Sequence, residues 1–328
     1  MDFSFTDEQE QLRREARTFL ADRYPFERVA EFADSDEGWD PSSWQALAEL
    51  GWIGVSVPEE AGGAGLGFLE EAVLHEELGR ALYPGPYFST VALALPELPA
   101  ELARPVVEGK ARWSAALEPA SPGGSLVPDL ALVDRVLVVR DGKLVAVAAE
   151  GEQLQTMDST RRLGRLAEDS AGEEIGDASA LERIRVRAFA ALALEAVGIA
   201  QRALELSVEH AKTREQFGKP IGIYQAVSHK LADSYALTEL ARSLAYWAAW
   251  CVSEADDEAP LATAAAKSYA GDVAVTVCEY SIQAHGGIGF TWEHPLHRYY
   301  KRAQWIQGYG GYPAAQRAEI AAAILSTG

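Results

Sequence analysis

Cysteine is scarce in this sequence: 328 residues contain two, Cys251 and Cys278, each within an apolar stretch and neither in a C-x-x-C spacing. Two such isolated thiols argue against a disulfide framework or a cysteine-based zinc centre, and they fit a reducing, cytoplasmic setting. Positive charge is short as well. Lys and Arg number 29 against 49 Asp and Glu, a net charge of −20. The chain as a whole therefore disfavours nucleic acid and anionic membranes, and an anionic ligand must be held by a few placed cations. No uninterrupted apolar run reaches the roughly 20 residues of a membrane span. The opening MDFSFTDEQEQLRREA lacks both the basic and the apolar stretch of a secretion signal. Internal repeats, low-complexity tracts, G-x-S-x-G, Walker A and Cys–His constellations are all missing, so hydrolase and nucleotide-triphosphatase readings have no support.

What the chain does have is apolar content, 48% against 24% charged residues, enough for two or three domains with sizeable cores. Thr6-Asp7-Glu8-Gln9 is a capping box, followed by Leu12, Ala16, Phe19 and Leu20 at helical spacing. A second helix is expected from Asp40-Pro41, and a third over Phe68 to Leu82 after the glycine-rich EEAGGAGLG. The GGAGLG run at 62–67 follows Pro58 rather than a strand, so it reads as a loop and not as a dinucleotide fingerprint. Proline-rich ALYPGPYFS and ALPELPAEL end this first part. RVLVVRDGKLVAVAAE then reads as two strands joined by Asp141-Gly142, the dipeptide of a type I′ turn. Long helical patterns return over Leu181 to Lys212, Gln225 to Ala255 and Pro260 to His285, with a final pair beyond His294. The expected organisation is a helical domain over 1–110, a shortened β domain over 111–178 and a helical bundle over 179–328.

Two segments carry chemistry. AKTREQFGKPIGIYQAVSHKLAD joins two helices through a loop bearing Arg214, Gln216, Phe217 and Gly218, and IQAHGGIGFTWEHPLHRYYKRA breaks a helix at Gly286-Gly287. A permanently charged fork such as Arg214 suits a pyrophosphate. Adjacent glycines let backbone N–H groups approach a dinucleotide, and the Gln283 amide can read its edge. Each feature alone has a plain structural reading, a solvated charge or a helix stop. Glu293, His294 and His297 could be drawn as metal ligands, but they lack HExxH spacing and Pro295 interrupts the local helix, so no metal is expected.

Together with VPEEAGGAGLGFLEEAVLHEELGRAL and WSAALEP, these two segments resemble the acyl-CoA dehydrogenase family over almost the whole chain. The resemblance implies a mainly α fold with a small β domain: an N-terminal helical domain, a middle β domain and a C-terminal four-helix bundle. It implies FAD, with Arg214, Gln216, Phe217, Gln283, Gly286 and Gly287 contacting the adenosine diphosphate half of a flavin lying in a neighbouring subunit. It implies an acyl-CoA substrate, desaturated between its α and β carbons, and an electron-transfer flavoprotein as electron acceptor.

The family's base departs from this sequence. The usual glutamate sits in a Y-E-G-T motif, and here Tyr309-Gly310-Gly311-Tyr312 puts glycine in its place. The other position some members use falls near Ala188-Phe189, neither of which can take a proton. Glu195, two helical turns on, is a weak substitute displaced ~10 Å along the axis, and either an arginine partner such as Arg202 or a place at a subunit contact is expected for it. A W-I-T-N-like loop facing the flavin has no counterpart between Pro119 and Arg161. The chain thus resembles the short, non-catalytic subunit of the heterotetrameric α2β2 dehydrogenases of bacterial steroid degradation, with a longer partner chain supplying the glutamate. The alternatives are a self-sufficient dehydrogenase using Glu195, and a non-enzymatic acyl-CoA-binding or scaffold subunit.

Overall fold

The computed structural model describes residues 5–120, 123–168 and 170–326; the first four residues of the opening stretch discussed above lie outside them. Helix α1 (Asp7–Arg23) starts on the capping box: the Thr6 hydroxyl accepts from the Gln9 amide at 3.2 Å, and the Gln9 side chain accepts from the Thr6 amide at 3.1 Å. After α2 (Phe26–Ala33), α3 (Pro41–Glu49) is capped by Asp40 with Pro41 in its first turn. The glycine run is a loop, leading from a short turn at Glu59–Ala61 into α4 (Phe68–Ala81). The proline-rich stretch does more than end the first part. It forms a buried π-helical segment, Phe88–Ala94, and α5 (Ala100–Val107), which Pro99 caps and which tolerates Pro105 in its last turns.

The β segment holds two small sheets. One has the order β1-β3-β4-β7, from β1 (Trp113–Ala115), β3 (Arg135–Arg140), β4 (Lys143–Ala148) and β7 (Gly172–Asp177). The other pairs β2 (Leu126–Pro128), β6 (Leu163–Leu166) and β5 (Gly151–Leu154). Strands β3 and β4 close with Arg140 opposite Lys143, and Asp141 and Gly142 take φ of 50° and 77°, the type I′ geometry their identities predict.

Three long helices follow: α6 (Ala180–Thr213), α7 (Gln225–Ser253) and α8 (Ala259–His285), each ending within three residues of the sequence expectation. Between α6 and α7 lie the two-residue strands β8 (Glu215–Gln216) and β9 (Lys219–Pro220), and after α8 come α9 (Leu296–Gly308) and α10 (Pro313–Ser326). One apolar core runs without a break from the N-terminal helices into the bundle, and a smaller one lies in the β segment. The junction of the larger core is the crossing of α4 over α6. A Cβ on Gly79 would strike the backbone of Glu195, and one on Gly198 the backbone of Glu76, so glycine on both helices lets the two backbones touch. Among the described residues no helix is long and apolar enough to cross a membrane.

Candidate functional site

Two regions bear on chemistry, and the first is built from helix ends. The C-termini of α6 and α8 meet where His210 and His285 stack, with ring centroids 4.2 Å apart. Four residues past His210, Arg214 leaves the helix in extended conformation. Its guanidinium is exposed and has no ion-pair or hydrogen-bond partner among the described residues. A hairpin of β8 and β9 follows, turned by Phe217 and Gly218 at φ of 53° and 74°. Gln216 is exposed on it and Phe217 stands 91% free of the chain. At the other helix end Gln283 is exposed, and Gly286 stops α8 at φ 65°. A Cβ on Gly286 or Gly287 would meet nothing within 4 Å. Packing inside the chain does not require glycine at 287, and the backbone there is open to approach from outside. The six residues singled out in the sequence thus lie on the segments that emerge at this end of the bundle.

A third ring packs beside them: His294 lies tilted against His285 with ring centroids 4.4 Å apart, and His285 donates from Nδ1 to the Ser281 carbonyl at 2.8 Å. His297 packs edge-on against Trp292. These rings pack against neighbours rather than converging on a metal, and no group of three metal-type ligands occurs among the described residues. Burial, then the neighbouring imidazoles, push His294 down to about 4; burial also lowers His210 and His285. As pH falls below about 6.5 the unfolded chain takes up protons that the folded chain refuses, so stability falls, and for His294 the loss is complete only below its folded value. Urea midpoints measured between about pH 7 and pH 5 should therefore drop more steeply for the native chain than for His294→Gln.

The second region surrounds the closing turn. Gly310 has φ 70°, and a Cβ there would lie 2.8 Å from Cε1 of Phe189 and 3.1 Å from Cδ1 of Leu117. The two positions at which a base was sought thus face each other, and the Phe189 ring fills the space a Gly310 side chain would enter. Lys267, whose burial lowers it to about 7, pins the turn by donating to the carbonyls of Gln307, at 3.1 Å, and Gly311. A cleft of 390 Å³ opens beside it, walled by Leu117, Met157, Trp305, Tyr309 and Tyr312. Restoring the glutamate by Gly310→Glu should yield no dehydrogenase turnover in the chain alone. It should also lower stability by about 2 kcal/mol or more, from the positive φ and the overlap with Phe189; thermal unfolding and a dye-reduction assay check both.

Glu195 is committed elsewhere. Its two carboxylate oxygens accept from the Arg161 guanidinium at 2.9 and 2.8 Å, and Arg302 and His75 stand 3.6 and 3.9 Å away. Arg202, the partner expected from the sequence, pairs with Glu205 instead. The reason is the helix itself, since positions 195 and 202 are nearly two turns apart, ~10 Å along the axis. Arg161 comes from the loop before β6, lies over the rings of Phe88 and Trp305 at 4.8 and 5.1 Å, and is 3% exposed. Arg302 in turn donates to Asp158 at 2.6 Å and to the Thr160 carbonyl at 2.7 Å. Nearby Asp129, raised by burial, accepts from the Ser89 hydroxyl at 2.8 Å. Sequence reasoning missed this cluster; the tandem Arg161-Arg162 after Asp158-Ser159-Thr160, inside a β-rich segment, was the available signal.

Residues 6–98 match the family described as acyl-CoA dehydrogenase, N-terminal domain, and residues 179–325 the acyl-CoA dehydrogenase, C-terminal domain. The chain is 33% identical to acyl-CoA dehydrogenase IpdE2 of Mycobacterium tuberculosis over 90% of its own length and 91% of that protein's. It is 35% identical to acyl-CoA dehydrogenase FadE34 of the same organism over 84% of this chain, a match covering 41% of FadE34. Among solved structures, a chain of the Tcur3481–Tcur3483 steroid ACAD superposes with a TM-score of 0.89 at 31% identity, covering 98% of both chains. A chain of the ChsE4–ChsE5 complex from Mycobacterium tuberculosis gives 0.88 at 26%, covering 99% of both.

Proposed function

The chain belongs to the acyl-CoA dehydrogenase family, and we propose that it serves there as a short subunit that helps to hold FAD while a longer partner chain supplies the catalytic glutamate. The observation that carries this reading is a contrast between two ends of one molecule. At the bundle end, Arg214 is unengaged among the described residues and Gly286-Gly287 leaves an open approach, which is what a dinucleotide's pyrophosphate needs. At the closing turn, the Phe189 ring fills the space a Gly310 side chain would enter, and Arg161 ties up Glu195, the carboxylate considered as a substitute base.

In this role Arg214 offers its forked guanidinium to the pyrophosphate, Gln216 and Gln283 offer amides, Phe217 offers an apolar face, and the glycines admit the approach. FAD, when bound, supplies the acceptor for the hydride leaving the thioester's β carbon. On this reading the proton on the α carbon goes to a carboxylate of the partner chain. The α2β2 assembly, a bulky steroid-type acyl-CoA substrate and an electron-transfer flavoprotein as acceptor belong to the same proposal. Similarity to steroid-named and two-chain relatives supports it.

The test is flavin absorbance per mole of chain. Purified alone, the protein should carry little FAD; co-expressed with a longer family chain that has the Y-E-G-T glutamate, it should carry near-stoichiometric FAD in the complex and turn over acyl-CoA. Stoichiometric FAD with turnover in the lone chain would replace this reading by a self-sufficient enzyme. No flavin in any complex would replace it by a scaffold.

A further inference from the structure

A second cavity lies away from both regions described so far, between α1, the turn into α2, the end of α4, and helices α6 and α9. It encloses 510 Å³, within the range of roughly 300–1,000 Å³ that small-molecule pockets occupy. Its floor is apolar and deep: Leu20, Tyr24, Val29 and Leu82 line it while being 1, 4, 2 and 1% exposed. These side chains close the bottom of a space of the size that small-molecule pockets occupy.

The rim is charged. Arg17, Arg80 and Arg202 line the cavity with a single carboxylate, Glu77. Glu77 takes Arg17 at 2.6 Å, and Glu205 takes Arg80 at 2.6 Å while standing 3.4 Å from Arg202. Three guanidiniums thus share two carboxylates, leaving one positive charge in excess in a chain whose net charge is −20. Arg202 has the weakest of these pairings and a third of its side chain exposed.

We infer that this cavity binds a small apolar carboxylate, its chain or ring system on the Leu20–Leu82 floor and its carboxylate on Arg202. The single excess charge favours a monoanion over a phosphate dianion, and it repels cationic amines. A neutral apolar ligand would fill the floor and gain nothing from Arg202. The inference does not depend on the FAD reading, because neither Arg202 nor the Leu20–Leu82 floor is among the residues proposed to hold FAD or part of the Gly310 turn.

Isothermal titration of the full chain with decanoate, below its micelle concentration, tests this. One saturable site is expected, with decanol at least tenfold weaker, Arg202→Met weakening decanoate by about tenfold, and Leu206→Trp, which fills the cavity, removing binding. Circular dichroism shows that both variants are folded, and flavin content of the co-expressed complex stays unchanged in both. Absence of a saturable site overturns the inference, as does decanol binding as tightly as decanoate, or decanoate binding unaltered in both variants.

Discussion

Arg214→Ala is expected to weaken FAD binding by the two-chain complex about 100-fold, the loss of two hydrogen bonds to a charged group at roughly 1.5 kcal/mol each. The effect should fall on affinity alone. Arg214 is exposed, follows the last turn of α6 and makes no side-chain hydrogen bond or ion pair with the described residues, and substitutions at such sites change stability by about 0.5 kcal/mol or less. Arg214→Lys should recover part of the affinity, because an ammonium restores the charge without the planar fork. Titration of the apo complex with FAD, followed by flavin fluorescence, separates the three proteins. Equal affinities would remove Arg214 from the site and with it the strongest argument that this chain contributes to a flavin.

The second large effect concerns the interior. Arg161→Met leaves Glu195 buried beside Arg302 and His75 but without the guanidinium that fills both its oxygens, and breaking one side of a buried pair costs about 3–5 kcal/mol. Glu195→Leu should cost a similar amount by stranding Arg161 over Phe88 and Trp305. The double variant should lose far less than the two singles together, because apolar side chains of similar volume replace the pair without an orphaned charge. Urea unfolding of the four proteins closes the cycle. Additive losses would mean that the pair is incidental to the packing of the β segment on the bundle. The same four proteins, assayed for turnover alone, also judge Glu195 as a base: a carboxylate occupied on both oxygens is a poor one until it is released, so no variant retaining Arg161 should show activity.

Legibility in the sequence followed the range of the interactions involved. Helices α6, α7 and α8 could be read to within three residues because their patterns are long and are stopped by local signals, such as Gly286. The Asp141-Gly142 turn was legible for the same reason, since two φ angles decide it. Helices α2 and α5 escaped: neither begins with a side-chain cap, and prolines at both the start and the interior of α5 read as an end to structure. The fate of Glu195 was beyond local reading, because its partner Arg161 lies 34 residues earlier in a loop that only tertiary packing turns inward. Likewise the sequence gives Gly310 and Phe189 as two separate absences of a base, and only the fold makes them one contact.

The paired glycines of α4 and α6 carry one more consequence. Where Gly79 and Gly198 let backbone rest on backbone, no rotamer can yield to accommodate a shift, since neither residue has a side chain to rotate. The N-terminal helices and the C-terminal bundle therefore form one mechanical part, although the β segment separates them along the chain. A truncation meant to isolate the C-terminal bundle would expose the groove of α6 that α4 now covers. Fragments cut at the apparent domain borders should accordingly be insoluble, and any expression design for this protein has to keep its first hundred residues attached.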